Sequence, residues 1–219
     1  MKRVIMICEG PTEQGFAKTN LQVHFVNKNI ILQTPLIKAS QGGIVKWQKL
    51  KEQIEKHLKS EPDAYVTTFI DYYGMYSKYG FPGWDTAHEI INKPNRIGAL
   101  EEAMLSDIDA TLQRRFIPYL QLHEFEGLLF NDINVIYSQI PTADIIGKAE
   151  LEKTFKEFTN PEMINNNREN APSRRLERII RGYNKVVYGD ILSEAIGLTR
   201  IRAKSPRFDN WISRLENLQ

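Results

Sequence analysis

The stretch Val4-Ile5-Met6-Ile7-Cys8-Glu9-Gly10-Pro11-Thr12-Glu13 decides how the rest of the chain is read. Its first five residues form a continuous apolar run, too short for a free-standing helix and stopped by Glu9-Gly10-Pro11. Such a run suits a strand buried on both faces in the middle of a parallel sheet. Gly10 and Pro11 end the strand, and Thr12 has the side chain to cap a following helix. Glu9 then stands at the carboxyl end of a central strand, where open α/β sheets build their ligand sites. Glu13 falls in the first helical turn and can lean over the same crevice.

From this strand the pattern extends outward. Phe16, Thr19, Val23 and Val26 recur at helical spacing and predict a helix from Thr12 to Asn27. Ile30 to Ile37 is a second β segment, with Pro35 arguing for a sheet edge. Ser40-Gln41-Gly42-Gly43 is a loop, and Ile44, Trp47, Lys51, Ile54 and Leu58 mark an amphipathic helix. Ala64 to Ile70 is the most β-prone stretch and ends in Asp71, repeating the arrangement at Glu9. Tyr72 to Asp85 is a long loop rich in Gly, Pro and aromatics; its rings either stack on bases or, the favoured reading, pin the loop to the body. A helix is predicted from Asn95 to Arg114, and Phe116 to Leu122 reads as a fourth strand with Pro118 near an edge. Gly127 to Tyr137 is predicted helical. The succession describes a mostly parallel sheet of about four strands flanked by helices, an α/β fold over residues 1–140. Residues 141–219 read as a helical C-terminal extension packed on it.

The chain has 219 residues, 42% hydrophobic and 26% charged, with a net charge of +2, an ordinary globular balance. No apolar run approaches the roughly 20 residues that span a bilayer, and no secretory signal pattern is visible, so a cytoplasmic protein with no membrane association is expected. The single cysteine, Cys8, is expected to be a small buried hydrophobe rather than a nucleophile. Residues 168–207 hold ten Lys and Arg against four Asp and Glu. Arg174, Arg175, Arg178 and Arg181 fall at roughly helical spacing, followed by Lys185, Arg200, Arg202 and Lys204. These eight are candidate phosphate contacts that would bind DNA or RNA without sequence specificity; a solvated helical face is the competing reading.

Three acid clusters follow three predicted strands: Glu9 with Glu13, Asp71, and Glu124 with Glu126. Parallel strands bring their C-terminal ends to one sheet edge, so these groups can converge. Carboxylates brought together repel and raise one another's pKa unless a cation neutralises them. Hard oxygen donors of this kind suit Mg²⁺ or Mn²⁺. Glu9, Asp71, Glu124 and Glu126 are the candidate ligands, with one of the last two expected to reach the metal. Glu9, Glu13, Asp71 and His123 are the candidate catalytic groups, His123 being a general acid or base, a ligand or a structural histidine.

Glu9-Gly10-Pro11-Thr12-Glu13, Asp71-Tyr72-Tyr73-Gly74 and Gln121-Leu122-His123-Glu124-Phe125-Glu126 resemble the TOPRIM superfamily. With Phe81-Pro82-Gly83, Ala171 to Leu176 and Ile201 to Trp211, they look most like small bacterial TOPRIM-like proteins often encoded beside an ATPase in defence-type neighbourhoods, related to the OLD-type nucleases. The resemblance implies a divalent-metal-dependent nuclease, or related phosphodiester-processing protein, acting on DNA or RNA. It further implies a role in phage defence with an ATPase partner. By the same resemblance Glu9 is the strand-end acid and Asp71 the first acid of an Asp-x-Asp element whose second position holds Tyr73. That departure opens a competing expectation of a non-catalytic subunit that binds nucleic acid or an ATPase. A phosphohydrolase of small phosphates is a third.

Overall fold

The computed structural model describes residues 1–38, 43–165 and 167–218. Positions 40–42 of the expected loop lie outside them. Strand β1 (Lys2–Cys8) is flanked in parallel by β2 (Ile30–Gln33) on one side and β3 (Ala64–Asp71) on the other. β3 also pairs in parallel with β4 (Phe116–Ile117) and, further along its length, with β5 (Leu120–Gln121). The result is a five-stranded parallel sheet with β2 at an edge. Alternate residues of β1 explain its apolar run: Val4, Met6 and Cys8 enter one core and Ile5 and Ile7 the other, all fully or nearly fully buried. Burial also pushes the Cys8 thiol pKa up, so it stays protonated.

One face carries α3 (Trp47–Ser60) and α5 (Lys93–Asp107), with the short α4 (Trp84–His88) before α5. The other face carries α1 (Pro11–Phe16) and α2 (Gln22–Val26) together with the C-terminal helices. These are α6 (Ile133–Gln139), α7 (Lys148–Glu157), α8 (Pro172–Ile179), α9 (Lys185–Ile196), α10 (Leu198–Lys204) and α11 (Pro206–Glu216). Trp211 of α11 fixes them to the sheet. Its indole lies flat on Tyr119 at 4.1 Å, and its Nε1 donates to Thr67 Oγ1 at 2.9 Å.

Several sequence expectations shift. The helix after β1 is capped at Gly10, not Thr12, with Pro11 in its first position and the Glu13 carboxylate accepting the Gly10 N–H at 2.9 Å. Between α1 and α2 the residues Ala17–Leu21 form a π-helical turn. Its wider winding rotates the buried stripe onto Phe16, Ala17, Leu21 and Phe25, leaving Thr19, Val23 and Val26 outside. α5 ends at Asp107, seven residues before the expected Arg114. There Ile108 turns extended and Asp109 Oδ1 accepts the Thr111 N–H and hydroxyl, an Asx turn that stops the helix. The fourth strand is split at Pro118, and the Thr67 and Thr68 hydroxyls bridge the interruption by donating to the carbonyls of Ile117 and Tyr119. Residues Phe125–Leu129 form a 3₁₀ turn, and the helix expected from Gly127 begins only at Ile133. In the aromatic loop Phe81 is buried against Trp47 and pins the segment, whereas Tyr76 stays exposed.

Removing the Trp211 indole leaves a cavity between α11 and the sheet. Trp211→Ala should lower unfolding free energy by about 3–5 kcal/mol in chemical denaturation. A loss below about 1 kcal/mol would contradict this packing.

Candidate functional site

Register brings the acids together. β1 and β3 run side by side with Cys8 opposite Phe69, so both strands end at the same edge. Glu9 Oε2 accepts the backbone N–H of Asp71 at 3.0 Å, a direct link between the two strand-end acids. Asp71 is buried and its Oδ1 accepts the N–H of Phe125 at 2.9 Å, which draws the turn after β5 into the same crevice. Glu126 in that turn is completely buried, and Glu13 nearly so.

A cation closes the cluster, supplied by α9. The Asn184 side chain accepts the N–H groups of Val186 and Val187, so the helix starts at Lys185. α9 crosses α1 closely: a Cβ at Gly189 would lie 3.0 Å from Thr12 Cγ2, and one at Gly15 2.6 Å from the Asp190 carboxylate. This close approach, with a glycine on each helix, accompanies the reach of Lys185, whose partly exposed side chain places Nζ 3.0 Å from Glu126 Oε1. Glu126 Oε2 has no hydrogen-bond partner among the described residues.

The charges are mutually dependent. Burial pushes the Glu9 pKa up to about 8, Glu13 adds to the rise, and the Asp71 N–H and Lys185 oppose it. Burial raises Glu126 to about 7, against the pull of Lys185 and with a further push from Glu124. Asp71 is held well above the ordinary carboxylate range by burial first and Glu13 next. Burial works against charge on Lys185, but Glu126, Asp71 and Glu13 outweigh it and raise its pKa.

The other expected residues separate. Glu124 is spent on structure: its two oxygens accept the Ser173 N–H at 2.8 Å and the Ser173 hydroxyl at 3.0 Å, capping the start of α8. Of the last pair, Glu126 is therefore the acid left to face the cluster. His123 does not join it. It adopts a left-handed backbone (φ 68°), and its Nε2 lies 3.4 Å from Lys93 Nζ. Burial and Lys93 lower its pKa to about 3, so the imidazole is neutral at pH 7.

The basic tail is not a row of free cations. Arg174 pairs with Glu177, Arg178 with Glu150, Arg200 with Asp132, and Arg202 with Asp209 and Glu216. Arg175 is buried and donates to Thr154 and Asn170, while Lys204 donates to the Asn131 carbonyl. Lys185 belongs to the acid cluster. Of the eight, the Arg181 side chain alone has no partner among the described residues. Helical spacing located these residues but carried no information about their partners, most of which are distant in sequence.

The donor chemistry and charge of the cluster fit a divalent cation: hard oxygens in excess of the one ammonium, with an orphaned buried oxygen on Glu126. The ligand shell is not preassembled. Among the described residues no three His, Cys, Asp or Glu side chains form a metal-binding group, because Glu9 and Asp71 are turned onto backbone N–H groups and Glu126 towards Lys185.

The raised acids dictate how stability varies with pH. A carboxyl whose folded pKa exceeds its unfolded value holds its proton longer in the folded state. Its contribution is full below the ordinary carboxylate range and is lost as pH rises through about 7 to 8. Thermal unfolding in chelator should therefore show the melting temperature falling between about pH 5 and 8, and falling less in Glu126→Gln. A rise across that window would contradict the electrostatic account.

No helix among the described residues is long and apolar enough to cross a membrane. No curated protein and no solved structure shows significant similarity to the chain. The family described as a domain of unknown function, DUF4276, matches residues 8–216, from the last residue of β1 to the end of α11, and the protein belongs to that family.

Proposed function

We propose that the protein is a divalent-metal-dependent nuclease, or a closely related phosphodiester-processing enzyme, acting on DNA or RNA. One observation carries the reading: Glu9 and Asp71, 62 residues apart, are joined at one sheet edge, with Glu13, Glu126 and Lys185 electrostatically coupled to them. Asp71, Glu13 and Glu126 are buried and Glu9 half-buried beside them, four carboxyl groups in excess over the single ammonium, the condition that a bound dication relieves. Glu9, Asp71 and Glu126 would hold Mg²⁺ or Mn²⁺, with Glu13 beside them. Such an ion supplies a nucleophilic water at neutral pH and stabilises charge on a transferring phosphoryl group. Lys185 limits the repulsion while the site is empty and can turn its ammonium to a phosphate oxygen when the acids take a metal. The resemblance to TOPRIM-like proteins points the same way and adds the expectation of an ATPase partner in phage defence.

In Mg²⁺ or Mn²⁺, Glu9→Gln and Asp71→Asn should each lower the cleavage rate on DNA or RNA by at least about a hundredfold. Variants that cut as well as the unaltered protein would eliminate the proposal.

A second reading, a non-catalytic subunit that binds nucleic acid or an ATPase, is favoured by Tyr73 at the second acid position and by the engagement of Glu124 with Ser173. Calorimetric titration with Mn²⁺ separates the two. The nuclease reading expects a binding signal that Asp71→Asn abolishes, and the subunit reading expects none.

A further inference from the structure

Beside the acid cluster lies a cleft of about 290 Å³ with the opposite electrostatic character. It is lined by Tyr72, Tyr73, Tyr76, Lys93, His123 and Arg168 together with Asn165 and Asn167, and no Asp or Glu is among its lining residues. The two compartments share a wall one residue thick. Asp71 faces the acids while Tyr72, next in sequence, lines the cleft. Glu124 caps α8 while His123, just before it, also lines the cleft, and the His123 carbonyl accepts the Tyr73 N–H at 2.8 Å. The left-handed backbone at His123, which a non-glycine residue adopts only at an energetic cost, belongs to this alternation.

The polar groups of the cleft are arranged to donate. Lys93 has three N–H donors; one goes to the Asn165 carbonyl at 3.0 Å and one towards His123 Nε2, leaving one for the cleft. The exposed Arg168 guanidinium has no partner among the described residues, in contrast to most arginines of the tail. At the rim, Tyr76 is 55% exposed and rests beside Tyr79 with their ring planes 30° apart, with Lys78 Nζ 5.6 Å from the Tyr76 ring centre. A supported, solvent-facing aromatic ring beside two cationic groups is the combination that holds an unpaired nucleotide.

Building on the nuclease reading, we propose that this cleft seats the nucleotide next to the bond being cut, and that the substrate is single-stranded there. Lys93 and Arg168 take the phosphate, and Tyr76 stacks on the base. The volume is at the small end of ligand pockets and admits one nucleotide but not a base pair with its backbone. A duplex keeps its bases stacked inside and offers none to Tyr76.

The test is binding of a short 5′-phosphorylated single strand, labelled at its 3′ end, measured by fluorescence anisotropy in chelator so that nothing is cut. Lys93→Met with Arg168→Gln, and separately Tyr76→Ala, should each weaken binding by about tenfold or more. Arg168→Gln alone, an exposed change that leaves folding intact, should account for part of that loss. A duplex of the same sequence should bind more weakly than the single strand. Affinities within about twofold of the unaltered protein in all three variants would overturn the proposal, as would no measurable binding by the unaltered protein. Equal affinity for the duplex would overturn it too. A free mononucleotide that competes as well as the strand would assign the cleft to small nucleotides instead and overturn the assignment to a strand. Because the assay involves no cleavage, failure of the cleft is distinguishable from failure of the enzyme. Variants that bind and cut normally remove the cleft alone, and cleft-dependent binding by a protein that cuts nothing removes the enzyme alone.

Discussion

The carboxylate of Glu9 reaches from the end of one strand to the backbone N–H of Asp71 at the end of the next. This contact ties the site to the sheet. It requires β1 and β3 to be parallel and in the observed register, because a slip of one residue would turn these side chains to the other face. The register in turn depends on a β1 that is apolar on both faces and therefore needs helices on both. The C-terminal helices provide one of these layers, and one of them, α9, carries Lys185 into the crevice. Site and fold therefore share one constraint.

The electrostatics explain why the crevice does not resemble an ordinary ion-pair network. The exposed pairs of the tail, such as Arg174 with Glu177, contribute little to stability. Inside the crevice, burial disfavours the ionised forms of Glu9, Asp71 and Glu126, and one ammonium serves all three. Each acid accordingly turns to the nearest donor, backbone for Glu9 and Asp71, lysine for Glu126. A divalent ion would offer all of them a stronger partner and release Lys185. The acidic crevice and the cationic cleft are separated by single residues of the chain, Asp71 from Tyr72 and Glu124 from His123, so that groups of opposite charge stand side by side at this edge of the sheet.

Much of the frame could be read from the residues themselves. A short apolar run ending in an acid marks both a buried strand and its crevice end, which is why Glu9 and Asp71 were identifiable. The Asp109-x-Thr111 turn was also written in the chain, but Ile108 and Leu112 continued the helical period past it and masked the stop. The π-helical turn has no local signal in Ala17–Leu21; packing of Phe16 and Phe25 decides it. The tail failed as a guide for a different reason. Its basic residues are visible at helical spacing, but whether Arg200 meets a phosphate or Asp132 depends on a contact 68 residues away in sequence. The roles of Ser173 and Lys185 were hidden in the same way, since no neighbour in the chain announces the acid each one meets.

The central claim is that acids from separate strands share one dication. The most direct measurement is anomalous scattering from a crystal soaked in Mn²⁺. The account predicts a manganese peak between Glu9, Asp71 and Glu126, with Lys185 displaced from Glu126. A crystal with no peak in this crevice, while Glu9 and Asp71 keep their backbone hydrogen bonds at saturating metal, would contradict it.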